Sequence, residues 1–147
     1  AHGLELLPDF QRGHVWTRQQ QIDFIEFRLR GGRSGGEIYF NCPEWQSGSR
    51  PKDGQFVIVD GLQRLTAIRA FMADQLPAFG GTLQQYTDRL RMTDASIRFC
   101  INDLEKRDEV LKWYLEINAG GTPHSAEEIA RVRALYKQAR AAGIGEP

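Results

Sequence analysis

Apolar residues follow two rhythms along this chain, and the change from one to the other falls between Gln55 and Ala67. Phe56, Val57, Ile58 and Val59 form a short unbroken β-rich run, which predicts a strand covered on both faces. Asp60-Gly61 supplies a turn. From Leu62 onward, Leu65, Ile68, Phe71 and Met72 recur at helical spacing, so a helix is expected to follow directly and to end near Gln75-Leu76-Pro77. Upstream, Leu4 to Leu7 reads as a short strand stopped by Pro8. Thr17 and Gln20 have the spacing of a capping box for a helix through Arg30. Its apolar stripe is Ile22, Ile25 and Leu29, widened by Phe24 and Phe27, and Gly31-Gly32 ends it. A short Ile-Tyr-Phe strand lies within Glu37 to Asn41.

Cys42 to Gly54, rich in Pro, Gly, Ser and charge, is expected to be an exposed connection. Trp45 within it is read as a loop aromatic tucked against the domain, with base stacking as the alternative. Thr82 is placed to cap a helix through Arg91, and Ala95 to Ile101 alternates as a half-buried strand with Ile97, Phe99 and Ile101 inward. Asn102 or Asp103 then opens a helix ending by Asn118, and Ser125 with Glu128 caps a last helix over 126–142. Strands alternating with helices give an α/β or α+β class with a small mixed sheet. A length of 147 residues with 41% hydrophobic content suits a single domain, residues 1–147, with one core.

Charge narrows the function. Nineteen Lys+Arg against 19 Asp+Glu leave a formal net charge of zero, unlike a protein that coats nucleic acid. Only Lys52, Lys106, Lys112 and Lys137 among the basic residues are lysines; this bias suits planar recognition of phosphate, and GC-rich coding produces it too. Cys42 and Cys100 belong to no metal-ligand pattern, so a structural zinc is not expected. There is neither an apolar run of membrane-spanning length nor a visible signal peptide, and the expected compartment is the cytoplasm.

The candidate chemistry sits on the strand-to-helix turn. The backbone N–H groups of Leu62, Gln63 and Arg64 fall in an open first turn, where helical donors lack intrahelical partners. The dipole end and the Arg64 guanidinium make this a seat for phosphate, while Gly61 admits a ligand close to the backbone. Asp60, at the carboxyl end of the strand, is placed to hold a metal or polarise a water. The plainer alternative is an ordinary helix start, with Asp-Gly as N-cap and turn, Gln63 solvated and Arg64 paired to a surface carboxylate. Spacing does not decide between them. Gln11 and Arg12 form a second anion-facing candidate, flanked by Phe10, Val15 and Trp16 as anchors. Arg12 and Arg64 are expected to converge on one pocket, because a triphosphate needs charge from more than one side. Asn118, Gly120 and Gly121 lie in a further unusual loop, for which a bare helix-to-helix turn is the alternative.

Three segments, in order, resemble a known family. Gln11-Arg12 followed by Trp16 is similar to a Gln-Arg-x-Tyr-x-Trp segment, with His14 where Tyr is usual. Asp60-Gly61-Leu62-Gln63-Arg64 resembles an Asp-Gly-Gln-Gln-Arg signature, with Leu62 replacing the first Gln, and Ile117 to Thr122 match an Ile-Asn-x-Gly-Gly-Thr segment. These belong to the ParB/sulfiredoxin-like N-terminal domain of GmrSD-type modification-dependent restriction enzymes. The resemblance, over roughly Leu7 to Arg133, implies that fold and a module that binds and hydrolyses a nucleoside triphosphate with Mg2+ or another divalent cation. It makes Asp60, Gln63 and Arg64 the catalytic candidates, with Asp60 as metal ligand. Gln11, Arg12, Gly61, Leu62, Gln63, Arg64, Asn118, Gly120 and Gly121 become nucleotide-binding candidates. The family's separate His-Asn-His nuclease domain has no match here, so hydrolysis would serve a DNA or nuclease partner or a stand-alone phage or prokaryotic defence protein. Two further readings stay open: a ParB-like DNA-binding or nuclease module, and a catalytically silent nucleotide sensor.

Overall fold

The computed structural model describes residues 4–5, 15–52, 54–86, 95–119 and 126–144. They contain β1 (Leu4–Glu5), α1 (Arg18–Leu29), β2 (Glu37–Asn41), β3 (Phe56–Asp60), α2 (Leu62–Met72), β4 (Arg98–Asn102), α3 (Arg107–Ala119) and α4 (Ala126–Ile144). Single 3-10 turns occur at Trp45–Ser47 and Leu83–Gln85. The strands form a four-stranded sheet in the order β1-β3-β2-β4, with β1 parallel and β2 antiparallel to β3. A small mixed sheet with α-helices makes the fold α+β. The chain divides into two compact units. The first takes Tyr39–Asp60, everything from Ile101 on and β1, and the second takes His14–Ile38 and Gly61–Cys100.

The first unit is built on Val59, Val110, Leu111, Tyr114 and Val132, all buried. Val110, Leu111 and Tyr114 share one face of α3, and Leu135, Tyr136 and Ala139 of α4 pack against the same cluster at helical spacing. Asn41 is its buried polar residue. Its side-chain Nδ2 donates to Leu104 O at 3.0 Å, and its Oδ1 accepts the Leu104 N–H at 3.0 Å. One amide thus bonds both backbone groups of Leu104 as a neighbouring strand would. With Asn102 Oδ1 also accepting the Asp103 N–H at 3.0 Å, the chain past β4 is held out of helix, and α3 begins at Arg107 rather than at 102 or 103.

In the second unit, Ile25, Ala67, Phe71, Leu76 and Ala78 form the core, with Ile22, Phe24, Leu29 and Trp16 packed against it. The capping box at Thr17 is formed in both directions: the Gln20 N–H donates to Thr17 Oγ1 at 3.2 Å and the Thr17 N–H to Gln20 Oε1 at 2.8 Å. Gly31, at φ +93°, closes α1, with the Gly32 N–H reaching Phe27 O at 2.9 Å. Phe27 itself is exposed, so it does not widen the core stripe. α2 stops at Met72, short of the expected end near Gln75. Asp74 takes φ +58°, the Gln75 N–H bonds Ala70 O at 2.9 Å, and Asp74 Oδ1 accepts the Gln84 N–H at 2.8 Å. A carboxylate with a backbone partner here does the work usually left to glycine.

Three other expectations change. The helix expected after Thr82 is a single 3-10 turn, since Tyr86 is extended (φ −76°, ψ 124°), its hydroxyl donates to Ala78 O, and its ring meets Phe71 edge-on at 6.4 Å. The remainder of that segment, 87–91, lies outside the described residues. β4 is shorter than expected, and Phe99 is 58% exposed, so the alternation there does not mark a buried face. Cys42, placed in an exposed connection by its composition, is buried, and burial raises its thiol pKa. Trp45 stacks on Phe56 at 5.7 Å with 44% of its surface open. No helix among the described residues is long and apolar enough to cross a membrane.

Asn41→Ala should lower unfolding free energy by about 2–4 kcal/mol, because two hydrogen bonds go and both Leu104 backbone groups lose their partner. A urea unfolding midpoint unchanged from the parent would refute that role. Burial, and secondarily Glu26, pushes the Tyr86 phenol above its ordinary 10.0. The folded state therefore favours the neutral form, and this contribution is intact below that value and lost as pH rises beyond it. Tyr86→Phe should flatten the alkaline fall in melting temperature while costing about 1 kcal/mol at neutral pH.

Candidate functional site

β3 leads directly into α2, as the apolar pattern requires. A register shift between Tyr39 and Phe40 sets Phe40 opposite Ile58 and Tyr39 opposite Asp60, leaving Val59 as the extra residue. Ile58 and Val59 are consequently both buried in succession, while Asp60 at the strand end is half-buried.

The next residue, Gly61, opens α2 in the second unit. It is the N-cap, with φ +106° and ψ 15°, and no side chain caps the helix. The Leu65 N–H bonds Gly61 O at 2.9 Å as the first intrahelical bond. A carboxylate N-cap, the plainer meaning of Asp-Gly, is therefore not the arrangement found. Helix starts usually draw a side-chain oxygen from the N-cap residue for their first N–H groups, and a glycine N-cap has none to give.

Arg64 folds back over that start. A Cβ on Gly61 would lie 3.1 Å from Arg64 Nη2 and 3.1 Å from both Ile38 Cγ1 and Ile38 Cγ2. The guanidinium thus covers the Cα of Gly61 and reinforces the positive end of the helix dipole rather than opposing it. Gln63 is engaged by the segment before α1: its Oε1 accepts the Trp16 N–H at 3.0 Å. The two donor hydrogens of the amide stay on its Nε2. Trp16, read as an anchor, also meets Phe24 at 5.4 Å, so the same segment packs by its ring and ties Gln63 by its backbone.

Of the other site candidates, Gln11, Arg12, Gly120 and Gly121 lie outside the described residues, and so does any convergence of Arg12 with Arg64. Asn118 falls in the last turn of α3, and its side chain is not described. Among the described residues, no three His, Cys, Asp or Glu side chains gather closely enough to hold a metal ion by themselves. Asp60 fits a different donor set, since Mg2+ in nucleotide sites takes one or two carboxylates and completes its shell with phosphate and water. Sequence reasoning missed two contributors: the Trp16 backbone and Gly35, whose Cα faces the Arg64 side chain. Backbone donors leave no mark on residue identity, and Gly35 is one of several glycines after α1.

An α+β chain whose strand-to-helix turn carries a glycine N-cap beneath an arginine belongs, by its sequence, to a recognisable group. Residues 2–96 match the family model of the GmrSD restriction endonuclease N-terminal domain, and the chain belongs to that family. The match covers Gln11, Arg12 and the whole Asp60–Arg64 stretch, and it ends before the Ile117–Thr122 segment. It ties the chain to restriction-related defence. The comparison with curated proteins and that with solved structures each returned no match.

Gly61→Ala should be among the most damaging single-methyl changes, at about 2–4 kcal/mol, because a left-handed backbone and a crowded Cβ position add together. Chemical denaturation of the variant tests this, and a loss under about 0.5 kcal/mol, the scale of an ordinary surface substitution, would overturn it.

Proposed function

We propose that this chain binds a nucleoside triphosphate on the Asp60–Arg64 segment and hydrolyses it with Mg2+, in a ParB/sulfiredoxin-like domain serving prokaryotic or phage defence. The observation that carries this reading is the α2 N-terminus, opened by Gly61 without a side-chain cap and covered by the Arg64 guanidinium. Phosphate oxygens suit the N–H groups of Leu62, Gln63 and Arg64 by charge and by geometry. Arg64 adds a planar cationic donor, and Gly61, without a Cβ, lets that guanidinium close over the helix start. Asp60 is the carboxylate at the strand end that holds the ion or orients the attacking water. Mg2+ bound with the triphosphate would supply neutralisation of charge on the phosphoryl oxygens. The Arg12 guanidinium is proposed as a second neutralising charge, and Gln11, Asn118, Gly120 and Gly121 as further nucleotide contacts.

A second reading is favoured by one contact. Gln63 Oε1 is already committed to the Trp16 N–H, and with Leu62 in place of the family's first Gln this start has fewer free amides to orient a water. A nucleotide sensor that binds without turnover follows from that.

Arg64→Ala is expected to weaken triphosphate binding by about 1.5–3 kcal/mol, the value of a charged hydrogen bond. Asp60→Asn keeps the shape of the turn and should spare much of the metal-free affinity, yet reduce turnover by about 10²-fold or more. Calorimetry with ATP, GTP, CTP and UTP, and phosphate release with Mg2+, separate the two effects. Parent-rate hydrolysis by Asp60→Asn removes Asp60 from catalysis, and binding without phosphate release by the parent selects the sensor.

A further inference from the structure

The glycine-rich loop between α1 and β2 forms a wall for the Arg64 side chain. At Gly35, with φ +71°, an added Cβ would lie 3.4 Å from Arg64 Cδ, 3.6 Å from Arg64 Nη1 and 3.2 Å from Phe24 Cε2. The aliphatic stem of Arg64 rests against the bare Cα of Gly35, while the Nη2 end reaches over Gly61. Two glycines from distant parts of the sequence thus flank one arginine.

The wall is held in place from both sides of Gly35. Arg28 Nη1 donates to Gly32 O at 2.7 Å and to Arg33 O at 2.9 Å, and Arg28 Nη2 donates to Ser96 O. Gly36 O accepts the Arg98 N–H at 2.8 Å. A Cβ on Gly36 would come within 2.9 Å of Arg28 Nη1, so this glycine lets the clamp close. Arg28 spends its charge on three carbonyls, and the loop it fixes offers Arg64 a surface with no side chain.

We propose that Gly35 is a positioning residue, setting the direction in which Arg64 presents its guanidinium at the start of α2. This inference rests on the reading of Arg64 as a phosphate-binding group. A left-handed backbone alone would also call for glycine, and the chain contains the control for that. Gly48 has φ +72°, with nothing within 4 Å of its Cβ position. Alanine at Gly48 meets the same backbone demand without a wall to disturb.

The experiment titrates ATP, GTP, CTP and UTP into the 147-residue chain and its Gly35→Ala, Gly48→Ala, Arg64→Ala and Gly35→Ala/Arg64→Ala variants, with thermal melts of each. Gly35→Ala is expected to weaken the tightest-binding nucleotide about tenfold, and Gly48→Ala by less than about twofold. The double variant should bind no more weakly than Arg64→Ala, because residues acting as a unit are not additive. Should Gly35→Ala not fold, Gly35→Ala/Phe24→Leu removes the nearest of the three contacts and takes the same titration. Parent-like affinity in Gly35→Ala, or losses that add in the double variant, overturn the positioning role while leaving the phosphate site intact. A parent that binds none of the four nucleotides overturns both. Loss of all binding in the parent and parent-like binding in Gly35→Ala are thus distinct failures.

Discussion

At Gly61 the backbone must pass from strand to helix within one residue, with a left-handed φ and with Ile38 and Arg64 already filling the space a methyl group would need. A methyl group there would sit on a left-handed backbone and force Ile38 and Arg64 to give way. The same constraint decides the chemistry of the helix start. A residue without a side chain has no oxygen to offer the first N–H groups, so α2 begins without the cap that α1 has at Thr17. Relative to a serine or aspartate cap, a glycine start forgoes only about a few tenths of a kcal/mol. The tight passage from strand to helix and the missing side-chain cap are here two consequences of one glycine.

Around this turn, polar side chains bonded to backbone groups do much of the positioning. Gln63 takes the Trp16 N–H, Arg28 takes three carbonyls around the glycine-rich loop, Asp74 takes the Gln84 N–H and ends α2, and Asn41 serves both backbone groups of Leu104. Each bond fixes a segment with no regular ladder or helix of its own to satisfy it. Hydrophobic burial is distributed differently, with one cluster around Val59 and Tyr114 in the first unit and another around Ile25 and Phe71 in the second. Burial supplies the driving force, and the directional bonds choose where the connecting chain runs.

The family ties this turn to a chain of restriction-related defence. The contacts of Gln63 and Arg64 differ in what they permit. Arg64 lies beside Gly35 and Gly61, whereas the Gln63 oxygen already accepts the Trp16 N–H.

The strand Phe56–Asp60, the helix that follows it, the Thr17 capping box and the α+β class were legible from residue order, because each depends on neighbours within a turn or two of helix or on strict apolar runs. The family was legible for a similar reason, since the resemblance was carried by short contiguous segments, and the match over residues 2–96 bears it out. Boundaries were less so. The end of α2 at Met72, the start of α3 at Arg107 and the single turn after Thr82 were decided by Asp74, Asn41 and Tyr86 making bonds to backbone groups elsewhere in the chain. Local propensity carries no information about partners 8, 10 or 63 positions away. The seat of Arg64 against Gly35 belongs to the same class, since a contact defined by a missing Cβ appears only when the tertiary fold brings two distant stretches together.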